Sequence, residues 1–194
     1  MFRKMNHVKV ITLKKPGIAD FAAERNLLLK KTKAEWILFV DSDEKLSGEL
    51  KKEISGLDPA GYSGFIIKRK IIFLGREIGE DRVLRLAKRG SGKWVRKVHE
   101  TWHVKGEIGS LQNCIIHNTA GNLHGYIEKI NTYSSIHSQE NIREGKNSNL
   151  FKIMFFPKFK FMGNLLAGRG FVFSMLQSFH SFLGWAKQWE LQKD

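Results

Sequence analysis

The sequence predicts an α/β fold, a mixed sheet flanked by helices, on three observations. Trp36-Ile37-Leu38-Phe39-Val40 is a run of continuous apolar residues bounded by charge, the pattern of a strand buried on both faces. A β-rich run and a helical stretch precede it, giving a strand–helix–strand opening. Several β-rich segments parted by glycine-containing loops follow, until helical periodicity takes over near residue 123.

Taken in order, Val8 to Ile11 reads as a strand that ends before the breaker Lys14-Lys15-Pro16-Gly17. Asp20 is placed to cap a helix over Phe21 to Lys33, with Phe21, Ala23, Leu27 and Leu28 on its apolar side. The Trp36–Val40 strand stops at Asp41-Ser42-Asp43-Glu44, and a helical stretch from Ser47 to Ile54 closes at Gly56. Gly64–Lys68, Ile71–Leu74, Arg82–Leu86, Trp94-Val95 and Asn113–His117 are strand candidates. From Leu123 to Arg143 a helix would align Tyr126, Ile130, Tyr133 and His137 on one side.

The tail changes in composition. Phe151 to Phe161 interleaves aromatics with lysines, and Gly170 to Ala186 holds no Asp, Glu, Lys or Arg. That stretch is about 17 residues long, against the roughly 20 that a spanning helix needs, and Ser174, Gln177, Ser178, His180 and Ser181 make it amphipathic. It reads as a helix lying in a membrane interface, with a cover for the domain's own core as the equal alternative. The expected organisation is a domain over 1–145 and a basic, aromatic helical segment over 146–194.

Composition narrows the classes. Hydrophobic residues at 42% of 194 allow a packed core. One cysteine, Cys114, excludes an internal disulfide and a cysteine-based zinc cluster and fits a reducing compartment. No apolar stretch follows the charged N-terminus, so a secretory signal is not expected. A net charge of +14 favours polyanionic partners. The basic residues form no block or stripe, so nucleic acid is the least favoured of them.

Three constellations could carry chemistry. Asp41 and Asp43 lie where ligands bind in open sheets, beyond the carboxyl end of a buried strand. Two carboxylates there suit Mg²⁺ or Mn²⁺ carrying a nucleotide diphosphate; an acidic loop that merely ends a strand is the plainer reading. His99-Glu100-Thr101-Trp102-His103 matches H-E-x-x-H letter for letter, which on a helix would hold zinc with Glu100 as base. Position 109, where an extended form of that motif puts a third ligand, is glycine, and the surrounding β-branched and aromatic residues disfavour a helix. In Glu24-Arg25-Asn26, Arg25 could reach a phosphate and Asn26 the acidic loop; by themselves these residues favour an exposed helix face.

Together the motifs resemble a known family. Phe21-Ala22-Ala23-Glu24-Arg25-Asn26 and Glu35 to Glu44, with Asp41-Ser42-Asp43 inside it, look like family 2 glycosyltransferases of the GT-A fold. The nearest type is the bacterial lipopolysaccharide-core β-glucosyltransferase-like group. Phe73-Leu74-Gly75-Arg76, Val83-Leu84-Arg85-Leu86, Lys97-Val98-His99-Glu100, Gly106 with Gly109, His117, Tyr126 to Tyr133 and Lys187-Gln188-Trp189-Glu190 continue the match in order.

The resemblance implies a half-Rossmann-type mixed sheet flanked by helices and an inverting sugar transfer. The donor would be a nucleotide-sugar, a UDP-sugar foremost, and the acceptor a cell-envelope glycan or lipid-linked molecule. Asp41 and Asp43 would hold the metal and the donor diphosphate, Arg25 and Asn26 would sit beside the donor site, and Glu100 would be the base. His99, Arg82 and Arg85 would be accessory groups. The zinc peptidase reading of His99–His103 is the alternative.

Family members open with roughly 60 further residues, a βαβ unit or more, that carry the nucleotide base; this sequence reads as N-terminally truncated by comparison. A partner chain or a second copy is then an expected way to complete the sheet. The loop after Gly75-Arg76-Glu77-Ile78-Gly79 also looks shortened. The charge and the aromatic tail imply a cytoplasmic protein, peripheral on the inner face of an anionic membrane.

Overall fold

A computed structural model describes residues 8–13, 20–95 and 100–193. The breaker Lys14–Gly17 and the residues before Val8 lie outside the described residues.

The chain forms β1 (Val8–Leu13), α1 (Phe21–Lys31), β2 (Trp36–Asp41), β3 (Glu44–Leu46), α2 (Gly48–Gly56), β4 (Gly64–Phe73), β5 (Arg76–Lys88), β6 (Gly92–Val95), β7 (Thr101–Val104) and β8 (Ile108–Ala120). Three helices follow: α3 (Leu123–Arg143), α4 (Leu150–Leu166) and α5 (Phe171–Leu191). The main sheet runs β1-β2-β5-β4-β8-β3, and β6 and β7 make a separate pair. β1 lies parallel to β2, with Val8 opposite Trp36 and Leu13 opposite Asp41, while β5 runs antiparallel to β2. The sheet is mixed and flanked by helices, as the sequence predicts.

Two compact units result, one of Met1–Ile71 with Glu80–Asn118, the other of Ile72–Gly79 with Thr119–Asp194. In the first, β2 is buried on both faces for the reason its composition suggests. Trp36, Leu38 and Val40 enter a core with Leu50 and Ile54 of α2, Ile67, Leu86 and Ile115. Ile37 and Phe39 point the other way, into a core with Ala22 of α1, Ala87, Trp94 and Trp102. Each large side chain fully buried in this way contributes about 1.5–3 kcal/mol. Asp20 caps α1 as read, its Oδ1 accepting from Ala23 N at 2.8 Å, and Ser47 proves to be the cap of α2, its Oγ accepting from Leu50 N at 3.0 Å.

The strand candidates Gly64–Lys68 and Ile71–Leu74 merge into one continuous strand, β4, which ends at Phe73. No loop follows Gly79: the chain turns on two residues, Leu74-Gly75, and β5 then runs unbroken from Arg76 to Lys88. Both turn residues have positive φ, 49° and 81°, the conformation of a tight hairpin turn that matches strand twist.

The expected apolar side of α1 is corrected in part. Leu28 packs against the second core, as does Leu29, but Ala23 and Leu27 are exposed, and the residues buried are Ala22 and Arg25. The helix docks through a charged side chain because carboxylates wait for it beneath.

In the second unit α5 packs between α3 and α4 through Ser174, Gly184 and Gln188, while Phe173 meets Phe73 and Tyr126 at 5.2 and 6.4 Å between ring centroids. Lys187 Nζ lies 2.7–2.9 Å from Asn131 O, Asn131 Oδ1, Ser134 Oγ and Ser135 Oγ, pinning α5 to α3. At the α4–α5 turn Gly168 takes φ 72°, the left-handed helix end that glycine favours.

Candidate active site

Asp41 ends β2, next to the parallel strand β1. The buried strand fixes its backbone, and Glu44 Oε2 accepts from Asp41 N at 2.9 Å, folding the Asp41–Glu44 turn back on the strand end. Both oxygens of Asp41 accept from guanidiniums: Oδ1 from Arg25 Nη2 and Oδ2 from Arg85 Nη2, each at 2.6 Å. The same Arg25 Nη2 also donates to Glu100 Oε1 at 2.9 Å, joined by Nε at 3.2 Å. One guanidinium nitrogen therefore bridges the two carboxylates.

The network extends through Glu44, whose side chain is fully buried. It lies 3.7 Å from Arg85 and 2.9 Å from Arg69, which in turn makes a two-pronged pair with Asp81 at 2.9 and 2.6 Å. Burial opposes the charge on Asp41, but Arg85 and Arg25 together outweigh it and hold its carboxyl below the usual carboxylate range. Arg69 is shifted upward: the bonds to Asp81 and Glu44 overcome its burial. These groups pair with one another, and removing one leaves its partners uncompensated.

An aromatic wall backs the arginines. Trp94 stacks on Trp102 with centroids 5.2 Å apart, and Phe39 meets both rings edge-on at 5.4 Å. The Arg25 guanidinium sits 4.6 Å from the Trp94 ring and the Arg85 guanidinium 5.6 Å, close enough for cation–π attraction. Asn26 fixes this wall. Its Nδ2 donates to Trp94 O and its Oδ1 accepts from Trp94 N, both at 2.9 Å. Asn26 thus bonds β6, not the acidic loop.

Arg25 is only 1% exposed, and its Nη1, with Nε and Nη1 of Arg85, is buried without a hydrogen-bond partner among the described residues. Buried donors of this kind are uncommon and mark places where a ligand or water completes the bonding. Asp43 lies beyond, its side chain 31% exposed, with His117 Nε2 3.3 Å from its Oδ2.

The structure therefore gathers Arg25, Asp41, Arg85 and Glu100 into one cluster, with Asn26 supporting its wall. The exposed-face reading of Arg25 is overturned. Arg82 is exposed on β5, and the ion pairs run through Arg25, Arg69 and Arg85. His99 lies outside the described residues. Glu44, Arg69 and the Trp94 platform were not singled out from sequence. The adjacency of Glu44 to the acidic pair was the one available signal; the others become visible only once β4, β5 and β6 are placed.

Nothing supports the zinc alternative. Thr101–Val104 is a strand, so the one-face spacing that a helix would give is lost, and His103 is exposed on it. Glu100 is bound to Arg25, and among the described residues no three His, Cys, Asp or Glu side chains cluster as metal ligands.

No family model matches the chain. It is similar to the lipopolysaccharide core biosynthesis glycosyltransferase LpsC of Rhizobium meliloti, 26% identical over 184 residues, covering 86% of this chain and 68% of that protein. It is equally similar to the uncharacterized glycosyltransferase RT0209 of Rickettsia typhi, 26% identical, covering 81% of this chain and 63% of that protein. A glycosyltransferase of Rickettsia felis matches at 26% over 79% and 63%. The chain spans about two thirds of the length of these relatives. By these matches and by its mixed, helix-flanked sheet, the chain is a homologue of bacterial glycosyltransferases with a GT-A-like architecture.

Proposed function

We propose that the chain serves an inverting glycosyl transfer from a nucleoside diphosphate sugar, a UDP-sugar foremost, to a cell-envelope glycan or lipid-linked acceptor. The observation that carries this reading is the Asp41 strand end held between two buried arginines that still have N–H groups to give. A diphosphate supplies anionic oxygens for such donors, and guanidiniums match phosphate geometry well.

A divalent cation fits the residues in part. Mg²⁺ in such sites needs only one or two carboxylates besides the phosphates. Asp43, part-exposed at the strand end, suits that role. Each oxygen of Asp41 already accepts a bond from a guanidinium, so Asp41 supports the charge balance and has only its remaining lone pairs for a cation. Mg²⁺ or Mn²⁺, when bound, would supply neutralising charge to the departing diphosphate.

The chain's own groups then divide the work. Arg25 and Arg85 hold the leaving group and are kept rigid by Asp41, Glu44 and the Trp94 wall. Glu100 is the base: its Oε1 takes both bonds from Arg25, which leaves Oε2 for the proton of the acceptor hydroxyl. As that proton moves to Glu100, the acceptor oxygen bonds the anomeric carbon and the carbon–oxygen bond to the diphosphate breaks, inverting the centre.

Calorimetric titration of UDP, GDP and ADP, each with and without Mn²⁺, tests the reading. UDP binding that requires Mn²⁺ and disappears in Asp43→Ala is the expected result, followed by turnover of a UDP-sugar that Glu100→Gln abolishes. A folded chain that binds none of the three nucleotides overturns it.

A further inference from the structure

We propose that the α4–α5 hairpin is a docking face for an anionic lipid bilayer, with α4 lying in the interface plane. The inference stands apart from the transferase reading, since it rests on the faces of α4 and α5.

α4 is covered on one side. Pro157 and Asn164 are its buried residues, with Ser178 Oγ of α5 donating to Pro157 O at 2.9 Å. Away from α5 it exposes Phe151, Phe155, Phe159, Met162 and Leu166, spaced four, four, three and four residues apart, which places them along one stripe. Phe159 is 63% exposed and Leu166 82%. Phe151 and Phe155 stack with centroids 4.6 Å apart, so the stripe is continuous rather than scattered. α5 adds a second stripe of Val172, Met175, Phe179 and Phe182, opened by Phe171 at 63% exposure. Soluble proteins seldom leave contiguous apolar patches of this kind without a partner.

Charge selects the partner. α4 carries Lys152, Lys158 and Lys160 and no acidic residue at all. Lys158 Nζ lies 5.3 Å from the Phe155 ring, so cation and aromatic occupy one surface. An apolar protein groove would satisfy the phenylalanines and bury the lysines at a cost. A bilayer interface takes both, rings at the acyl boundary and ammonium groups at anionic headgroups. The chain's net charge of +14 points the same way. None of the described helices is long and apolar enough to cross a membrane, so the helix would lie on the bilayer rather than span it.

The test is co-sedimentation of the whole chain with phosphatidylcholine vesicles, with and without about a third phosphatidylglycerol. Binding should require the anionic lipid and weaken with salt. Phe159→Ser combined with Phe171→Ser should lower the partition coefficient at least about ten-fold, since aromatic burial drives insertion. Lys158→Glu combined with Lys160→Glu should lower it by more than about 25-fold, near five-fold per lysine removed. Circular dichroism checks that both variants are folded. Equal binding to neutral vesicles, or binding that survives both pairs of changes, overturns the proposal. So does a wild-type chain that ignores both vesicle types and sediments as a dimer that the Phe159/Phe171 variant dissolves, for then a second copy is the occupant.

Discussion

Two helices of this chain depart from inside-apolar, outside-polar arrangement in opposite directions. α1 turns Arg25 inward until 1% of it is exposed and leaves Leu27 at the surface. α4 turns Phe151, Phe159 and Leu166 outward and buries Asn164. Neither arrangement comes from hydrophobic burial, which is the dominant force in folding. Each needs a counterpart: for α1 it is inside the chain, the carboxylates of Asp41 and Glu100; for α4 the described chain holds none. The first departure builds an internal ion-pair network and the second leaves an external apolar surface.

The largest effect should come from breaking the α1 side. Arg25→Ala leaves Asp41 and Glu100 without their shared cation, in a site backed by Trp94 and Phe39. Removing one partner of a buried ion pair costs about 3–5 kcal/mol, and the partial exposure of both carboxylates puts this case near about 3. Urea denaturation should show the midpoint falling by an amount that Arg25→Lys restores only in part, because an ammonium cannot make the bonds of Nε and Nη2 at once. A midpoint within error of wild type would mean that α1 docks through Ala22 and its neighbours alone.

Acid should reach the same network. Asp41 has its native pKa lowered, against about 3.9 in an unfolded chain. Its ionised form therefore adds stability that is complete above that unfolded value and is lost as pH falls through the lower native one. Unfolding free energy should drop below about pH 4, and in Asp41→Asn this part of the acid slope should vanish. A variant with an unchanged slope would assign acid sensitivity to other carboxylates. One step smaller, Asn26→Ala removes the two bonds to the Trp94 backbone and should cost about 1–2 kcal/mol, read in the same denaturation series.

The comparison also shows what a sequence displays and what it hides. β2 was legible because five apolar residues in a row admit few other placements, and α1 because Asp20 stands where a cap belongs. The acidic strand end was legible as a motif, and so was the aromatic, acid-free α4 stretch. Which side of α1 faces inward was not. Its leucines suggest one face, and only the position of Asp41 and Glu100, 16 and 75 residues further along, reveals that Arg25 takes the inner one. Long-range charge pairing leaves no periodic trace. Arg69 with Asp81, and Asn26 with Trp94, were hidden for the same reason: each pair is assembled by topology, across strands whose order β1-β2-β5-β4-β8-β3 cannot be read from spacing.

The smallest effect should come from α4, and its smallness is informative. Phe159→Ser removes a large apolar side chain that is 63% exposed. In a buried position the loss of a phenylalanine costs about 3–5 kcal/mol, but surface substitutions away from special features stay within about 0.5 kcal/mol. Thermal unfolding of the variant in plain buffer should therefore match wild type, while self-association at high concentration should decline as the exposed patch shrinks. A clear loss of stability would show that Phe159 is covered in solution, by a second copy or by chain not described in the structure. An unchanged midpoint would leave α4 as the inverse of α1: Arg25 contributes to holding the fold together, whereas Phe159 contributes nothing to it.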